Sequence, residues 1–341
     1  MPGVLPPTYG ISLQEVQAYA RLIELAQKRG GAKSAAEVRK WVASHPEAAI
    51  DEVREASIEI VTANVNDYGS AAASNAADLY DDVMAAADAG LPRAEILFTD
   101  PRQSVRKAVK YQIQHLVDGD EQAYYDAIDS MAQYYIRRCA NQTTMRNAER
   151  DNRYVSRGGL GTKLGNAKHG QLNQPTAFSG FGSRTRYPRR RYYTGSLQPG
   201  DVAYARVPTG AETCTYCMML ASRGFAYHTE ESAGHADHRG CNCLIIAGIH
   251  GSSYVEGVDI DEQYRTWKEL ASADAKFQKG ELTREELEAK KREIVDAHPN
   301  ATAKIPSGDV RKLDSAGVEQ WYAPQDYEAR GTLDAPRTVP Y

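Results

Sequence analysis

The sequence has few large aromatic residues other than tyrosine and no long apolar segment. It contains 5 Phe and 3 Trp against 21 Tyr in 341 residues. No apolar run approaches the roughly 20 residues that a membrane-spanning helix needs. The first residues, Met1-Pro-Gly-Val-Leu-Pro-Pro7, lack the basic start and apolar core of a secretory signal. We therefore expect no membrane segment and no secretion, and a reducing environment for the cysteines.

Net charge is small, at -4, but the charges are unevenly distributed. Basic residues dominate between Arg137 and Arg191, where only Glu149 and Asp151 oppose them. The remainder of the chain is therefore acidic. A chain of this length can hold two domains or one large domain.

The first part of the chain is predicted to be a bundle of helices. Capping boxes at Ser12–Glu15 and Ser34–Glu37 predict two helix starts. The first helix is expected to end at Gly30–Gly31, Gly69 to break or kink a later helix, and Gly90–Pro92 to stop it. Apolar residues recur at helical spacing, which indicates helix-on-helix packing.

A basic segment without helical or strand periodicity follows the helices. Gly158–Lys163 lacks the spacing of a phosphate-binding loop and predicts a flexible loop. Farther along, arginines interleave with tyrosines, a composition that suits phosphate contact and base stacking. A solvated arm, or one neutralised by acidic parts of this protein or a partner, is the alternative. The candidate nucleic-acid-binding residues are Arg184, Arg186, Arg189, Arg190, Arg191, Tyr192 and Tyr193.

Four of the 5 cysteines lie within a short window. Cys214 and Cys217 form a Cys-x-x-Cys knuckle, and His238, Cys241 and Cys243 follow about twenty residues later. Thiolates and imidazoles in a tetrahedral set of four are the ligands of structural zinc. The pattern predicts a Zn²⁺ site, with disulfides, a redox or catalytic thiol pair and plain core cysteines as alternatives.

Five candidates for four positions leave the fourth ligand open. Cys241 and Cys243 are two residues apart, so a tight turn is needed for both to bind one metal. His228 and His235 are spare imidazoles that we expect at the surface. A full set of four N and S ligands would make the zinc structural, because catalytic zinc keeps an open position.

These observations predict a mainly α fold with a small α+β zinc-stapled subdomain. Val202–Val207 and Leu244–Ile246 are strand candidates, and the capping box Thr283–Glu286 predicts a helix start. The predicted divisions are a helical domain at 1–150, a basic loop or arm at 151–200, a zinc-knuckle subdomain at 201–258, C-terminal helices at 259–300 and an extended tail at 301–341.

The cysteine region carries a recognisable set of motifs. Ala205–Gly210, the Cys214–Cys217 knuckle, Met219–Phe225 with its Leu-Ala-Ser-Arg-Gly core, and His238-x-x-Cys241-x-Cys243 occur in this order. The combination resembles the phage Mu F-like minor head protein family, in the form found in actinobacterial phages and prophages. The resemblance covers about sixty residues closely, and the basic insertion departs from it.

The resemblance implies a minor capsid protein at the portal vertex or in the head interior of a tailed phage. It implies portal, scaffold or major capsid protein as partners, packaged DNA nearby, and a place in the virion after assembly in the host cytoplasm. Roles in head assembly and in DNA packaging or ejection follow from it. The matching metal-type positions are Cys214, Cys217, His238, Cys241 and Cys243.

Two other functions compete with this interpretation. One is a zinc-containing nucleic-acid-binding protein. The other is a metal-dependent nuclease in which His238, next to Asp237, would be a general base. A histidine that completes a zinc tetrahedron cannot also activate water, and we assign no catalytic residue. A zinc deaminase is disfavoured as well, because no His-x-Glu is followed by a Pro-Cys-x-x-Cys in this sequence.

Overall fold

The computed structural model describes residues 9–87, 89–156, 197, 200–209, 214–229 and 243–303, with backbone only for 152–156. The described chain is mainly helical, with two small two-stranded sheets. The helices are α1 (Leu13–Ser44), α2 (Ile50–Ala86), α3 (Arg102–Gln112), α4 (Gln114–Val117), α5 (Glu121–Ser156), α6 (Thr215–Ala221), α7 (Ile260–Gln278) and α8 (Arg284–Ala297), and a 3-10 turn covers Pro299–Ala301. Within these ranges, no helix is long and apolar enough to cross a membrane.

The long helices α1, α2 and α5 pack together along their lengths and form the main core. Ser12 caps α1, since its Oγ accepts a hydrogen bond from Glu15 N at 3.4 Å. The predicted start of the first helix is therefore confirmed. Val16, Ile23 and other apolar residues at helical spacing are buried between the helices.

The predicted helix end at Gly30–Gly31 is wrong, because α1 continues through both glycines to Ser44. A Cβ atom on Gly30 would lie 2.4 Å from Ile136 Cδ1, and one on Gly31 would lie 2.3 Å from Asp129 Oδ1. The two glycines thus let α5 approach α1 closely. Ser34 does not start a helix either, since its hydroxyl donates to Gly30 O at 2.7 Å within α1.

Gly69 likewise lies inside α2, which does not end there. A Cβ atom at this position would lie 2.7 Å from Cys139 Sγ on α5. Helix packing, rather than a helix break, explains this glycine. The helix ends at Ala86, shortly before the Gly90–Pro92 stop that the sequence predicted.

An extended segment between α2 and α3 is held by polar side chains of α5. Asn147 Oδ1 accepts from Glu95 N at 2.9 Å, and its Nδ2 donates to Glu95 O at 2.7 Å. Thr143 Oγ1 and Gln142 Oε1 accept from the backbone N–H groups of Leu97 and Thr99 at 3.2 and 3.1 Å. These side chains satisfy partly buried backbone groups that have no strand partner among the described residues.

The two strand candidates in the cysteine region form an antiparallel pair. β2 (Val202–Pro208) and β3 (Cys243–Ile249) pair in register from Val202 opposite Ile249 to Pro208 opposite Cys243. All residues of both strands are buried, so the pair is covered on both faces and shows no polar face. It packs on α2 and α5, and Ile245 N donates to Asn141 Oδ1 at 3.2 Å.

A second, parallel pair joins the start of the described chain to the segment that follows β3. β1 (Tyr9–Ile11) pairs with β4 (Ser253–Val255).

α7 and α8 then form a helical pair with its own small core. Thr283 caps α8 as the sequence predicted, with Oγ1 accepting from Glu286 N at 3.3 Å and Glu286 Oε2 accepting from Thr283 N at 2.8 Å.

Candidate metal centre

The Cys-x-x-Cys knuckle forms the N-terminus of the short helix α6. Cys214 is the N-cap residue, in an extended conformation, and its Sγ accepts a hydrogen bond from Cys217 N at 3.2 Å. An N–H group directed at sulfur stabilises negative charge there, as a thiolate ligand requires. Gly224, with a φ of 59°, follows the helix in a left-handed conformation.

Cys243 lies with the knuckle in the folded chain. It is the first residue of β3, opposite Pro208 at the end of β2. Cys217 and Cys243 are each 1% exposed and pack in one cluster, and the partly buried Cys214 packs against them. The antiparallel register therefore brings together three cysteines from two separate sequence motifs. No disulfide joins any two of the four cysteines that the structure describes.

The remaining predicted ligands, His238 and Cys241, lie outside the described residues, as does His235. His228 is described and is half-buried. Burial lowers the pKa of this imidazole, against the opposing effect of the Asp201 and Glu149 carboxylates. The predicted nucleic-acid-binding residues, from Arg184 to Tyr193, also lie outside the described part of the chain.

The cysteine cluster fits zinc in its donor chemistry but is incomplete in the described ranges. Three soft sulfur donors gather at one place, which suits a closed structural centre. However, the described residues contain no group of three or more His, Cys, Asp or Glu arranged to hold a metal. If zinc binds here, Cys214, Cys217 and Cys243 would supply sulfur, and His238 or Cys241 the remaining ligand. Such a metal would crosslink α6 to β3.

A polar link that the sequence did not reveal joins the knuckle to the C-terminal helices. Thr215, the residue after Cys214, donates from Oγ1 to Asp274 Oδ2 of α7 at 2.6 Å. Lys291 Nζ of α8 lies 3.0 Å from Asp274 Oδ1. Cys217, two residues after Thr215, is buried. The next residue, Met218, packs in a second hydrophobic core. That core is formed by Met218, Leu270, Ala273, Leu287, Ile294 and Ala301.

Residues separated by 59 positions, such as Thr215 and Asp274, give no local signal of contact. The polar residues of α5 did give a local signal of contact, because the run Asn141-Gln-Thr-Thr144 lies inside a helix and is buried. Polar residues of low helix propensity in a buried helical position indicate that the side chains bind something. Here Asn141 binds β3, and Gln142 and Thr143 bind the extended segment.

One comparison with known proteins gave a match. A family model described as VG15 protein matches residues 11–157 and 186–270. The first range contains α1 to α5, and the second contains the whole cysteine region and part of α7. No curated protein matches the chain, and no solved structure does. Since the two ranges cover more than half of the chain, the protein belongs to the VG15 protein family, a family of viral proteins.

Proposed function

We propose that this protein is a minor capsid protein of a tailed phage that acts in head morphogenesis. Its place would be the portal vertex or the head interior, where it would contact the portal and the scaffold or major capsid protein. Roles in DNA packaging or ejection are part of the proposal. The observation that carries it is the match to a viral family over both the helical bundle and the cysteine region.

The motifs that resemble the Mu F-like minor head proteins all lie inside the second matched range, 186–270. Because these motifs lie in a range that matches the viral family, they support the proposal of a minor capsid protein. The family match skips 158–185, most of the basic insertion, and resumes at Arg186. We therefore treat most of that insertion as particular to this chain, and the segment from Arg186 to Tyr193 as part of the family region.

Zinc at the cysteine cluster is the second element of the proposal. Bound zinc would contribute structural crosslinking and no chemistry of its own. The sulfur atoms that would bind it lie at the start of α6 and the start of β3, and Cys217 and Cys243 are buried. A shielded site of this kind suits a particle component that must keep its fold during assembly.

Mass spectrometry of purified virions and procapsids tests the proposal. We expect the chain in at least one of the two particles, at far lower copy than the major capsid protein. We also expect it to co-purify with portal or capsid protein when the genes are expressed together. Absence from both virions and procapsids would refute the proposal. Abundance equal to that of the major capsid protein would also contradict a minor, vertex-bound role.

A further inference from the structure

The helix α3 and the short α4 that follows it expose a continuous basic and apolar face. α3 contains no acidic residue, and it buries Val105 and Val109 against the bundle. On its other side, exposed residues recur every three or four positions, as expected for one face of a helix. These exposed residues, here called the α3 outer face, are Gln103, Lys107, Lys110, Tyr111, Gln114 and Val117.

The same helix already binds carboxylates along its inner edge. Arg102 pairs with Glu59, and Arg106 Nη2 lies 3.1 Å from Glu55 Oε2. The two arginines are four residues apart, and so are the two glutamates on α2. Cations on successive turns of α3 thus match anions on successive turns of a neighbouring helix. The arrangement shows that α3 can pair with a neighbouring helix that carries carboxylates on successive turns.

The outer face repeats the pattern of cations on successive turns of α3, while its Gln114 donates from Nε2 to Asp118 Oδ1 at 2.8 Å. Lys107 and Lys110 are exposed, and neither forms an ion pair with any described carboxylate. Beside them Tyr111 is 75% exposed and Val117 is 59% exposed. Exposed apolar side chains bordered by charges are typical of contact sites for other proteins.

We propose that the α3 outer face binds an acidic amphipathic helix of a partner protein. Glutamates or aspartates on successive turns of that helix would pair with Lys107 and Lys110, as Glu55 and Glu59 pair with the inner arginines. Its apolar residues would cover Tyr111 and Val117. The proposal rests on these contacts and exposures, and it holds whether or not the protein is a capsid component.

Charge distribution around the face favours a protein over a nucleic acid. Glu55 and Glu59 of α2 lie beside α3, and Asp51 and Glu52 precede them on the same helix. A duplex, with one phosphate charge per roughly 1.7 Å, would extend over these carboxylates and be repelled. A single helix, about 10–12 Å wide, can lie along α3 alone. The exposed tyrosine and valine also favour an apolar contact over a phosphate backbone.

Binding of a designed peptide to the full chain tests the proposal. The probe is a labelled helical peptide with glutamates four residues apart and leucines on the adjoining stripe, and fluorescence anisotropy at low ionic strength gives its Kd. We expect Lys107→Glu with Lys110→Glu to weaken binding by about tenfold or more. The matched control, Lys276→Glu with Lys279→Glu on and just after α7, should bind as the unchanged chain does. A peptide with lysines in place of the glutamates should bind the Lys107→Glu, Lys110→Glu variant more tightly than the unchanged chain.

Several outcomes would overturn the proposal. Equal weakening by the two charge-reversal pairs would show attraction to net charge rather than to this face. Tighter binding of a duplex DNA than of the glutamate peptide, abolished when Lys107 and Lys110 are replaced, would assign the face to nucleic acid. Self-association of the chain that Tyr111→Ala abolishes would assign it to a second copy. The variants should keep the circular dichroism and Tm of the unchanged chain, since all four substituted lysines are exposed.

Discussion

Thr215 Oγ1 donates a 2.6 Å hydrogen bond to Asp274 Oδ2 and so connects the cysteine knuckle to the C-terminal helices. Because Asp274 also lies 3.0 Å from Lys291, one carboxylate joins α6, α7 and α8. The knuckle and the second core are therefore directly connected, although they come from different parts of the sequence. Substitutions at the cysteines should therefore change the local stability of α7 and α8.

A double-mutant cycle measures this link. We expect Asp274→Asn to lower the free energy of local opening of α7 and α8 by about 1.5–3 kcal/mol, because a charged hydrogen-bond acceptor is removed. Thr215→Val should be less damaging in the Asp274→Asn background than alone. Hydrogen exchange of the α7 and α8 amides gives the opening free energies. Additive effects of the two substitutions would contradict a direct energetic link.

The proposed zinc site predicts about one zinc per purified, tag-free chain. Cys214→Ser, Cys217→Ser and Cys243→Ser should each reduce the zinc content, measured by elemental analysis. Cys139→Ala is the matched control, since Cys139 is buried on α5 away from the cluster, and it should retain the metal. A chain that holds no zinc and whose cysteines all titrate freely would refute the site.

Removal of the proposed zinc should act locally. A chelator is expected to speed hydrogen exchange in residues 214–229 and 243–249, and in α7 through the Thr215–Asp274 bond. Exchange in α1, α2 and α5 should change little, because the core of the bundle forms without the cysteine cluster. Uniform loss of protection across the bundle would mean that the metal supports the whole fold.

The contact between Gly69 and Cys139 predicts a compensating pair of substitutions. Gly69→Ala alone should destabilise the protein by about 1–3 kcal/mol, since its Cβ would lie 2.7 Å from Cys139 Sγ. In an open helical position the same change would stabilise by about 0.5–1 kcal/mol. Cys139→Ala removes the sulfur, so Gly69→Ala should be tolerated in that background. Chemical denaturation of the four variants gives the coupling free energy, and a value near zero would contradict the close packing.

Buried tyrosines predict a loss of stability at alkaline pH. Burial raises the pKa of Tyr124 to about 12, against the effect of its hydrogen bond to Ser57, and burial likewise raises the pKa of Tyr135 and Tyr227 to about 12. Because the folded pKa exceeds the unfolded value of about 10, the folded state keeps protons that the unfolded state releases. This contribution is complete below about pH 10 and is lost as pH rises toward about 12.

Denaturation at several pH values between about 9 and 12 checks this prediction. Tyr124→Phe should reduce the loss in free energy of unfolding across this window. The reduction should be about 1.4 kcal/mol for each unit by which the folded pKa of Tyr124 exceeds its unfolded value. An unchanged slope in the Tyr124→Phe variant would show that this hydroxyl does not carry the effect.

The basic segment from Arg184 to Tyr193 predicts weak DNA binding without sequence preference. Counterion release should make the affinity fall steeply with salt. Arg189→Ala, Arg190→Ala and Arg191→Ala together should reduce the salt slope by about one for each arginine that binds a phosphate in the unchanged chain. Replacement of the exposed Lys276 and Lys279 by alanine is the control and should not change it. A triple variant that binds DNA as before but no longer binds portal would mark the segment as a protein-binding element.

Helix starts were the part of the fold most readable from local sequence. Ser12 and Thr283 cap helices as predicted because the capping interaction spans three residues and depends on nothing distant. Ser34, in an equally good capping box, lies in the middle of α1. Helix propensity and caps are weak signals, and the close packing of α1 on α5 through Gly30 and Gly31 outweighed them.

Residue type and short spacing were enough to predict the mainly helical class and the two strands of the cysteine region. The same signals named the candidate zinc ligands, and zinc binding stays a prediction. The position of Cys243 beside Cys214 and Cys217 came from the folded chain, because a strand register across many intervening residues brings them together. The fold also made Gly30, Gly31 and Gly69 packing residues, and it let Asp274 tie the knuckle to two distant helices. Contacts of this kind depend on which helix faces meet, and local sequence carries no record of that.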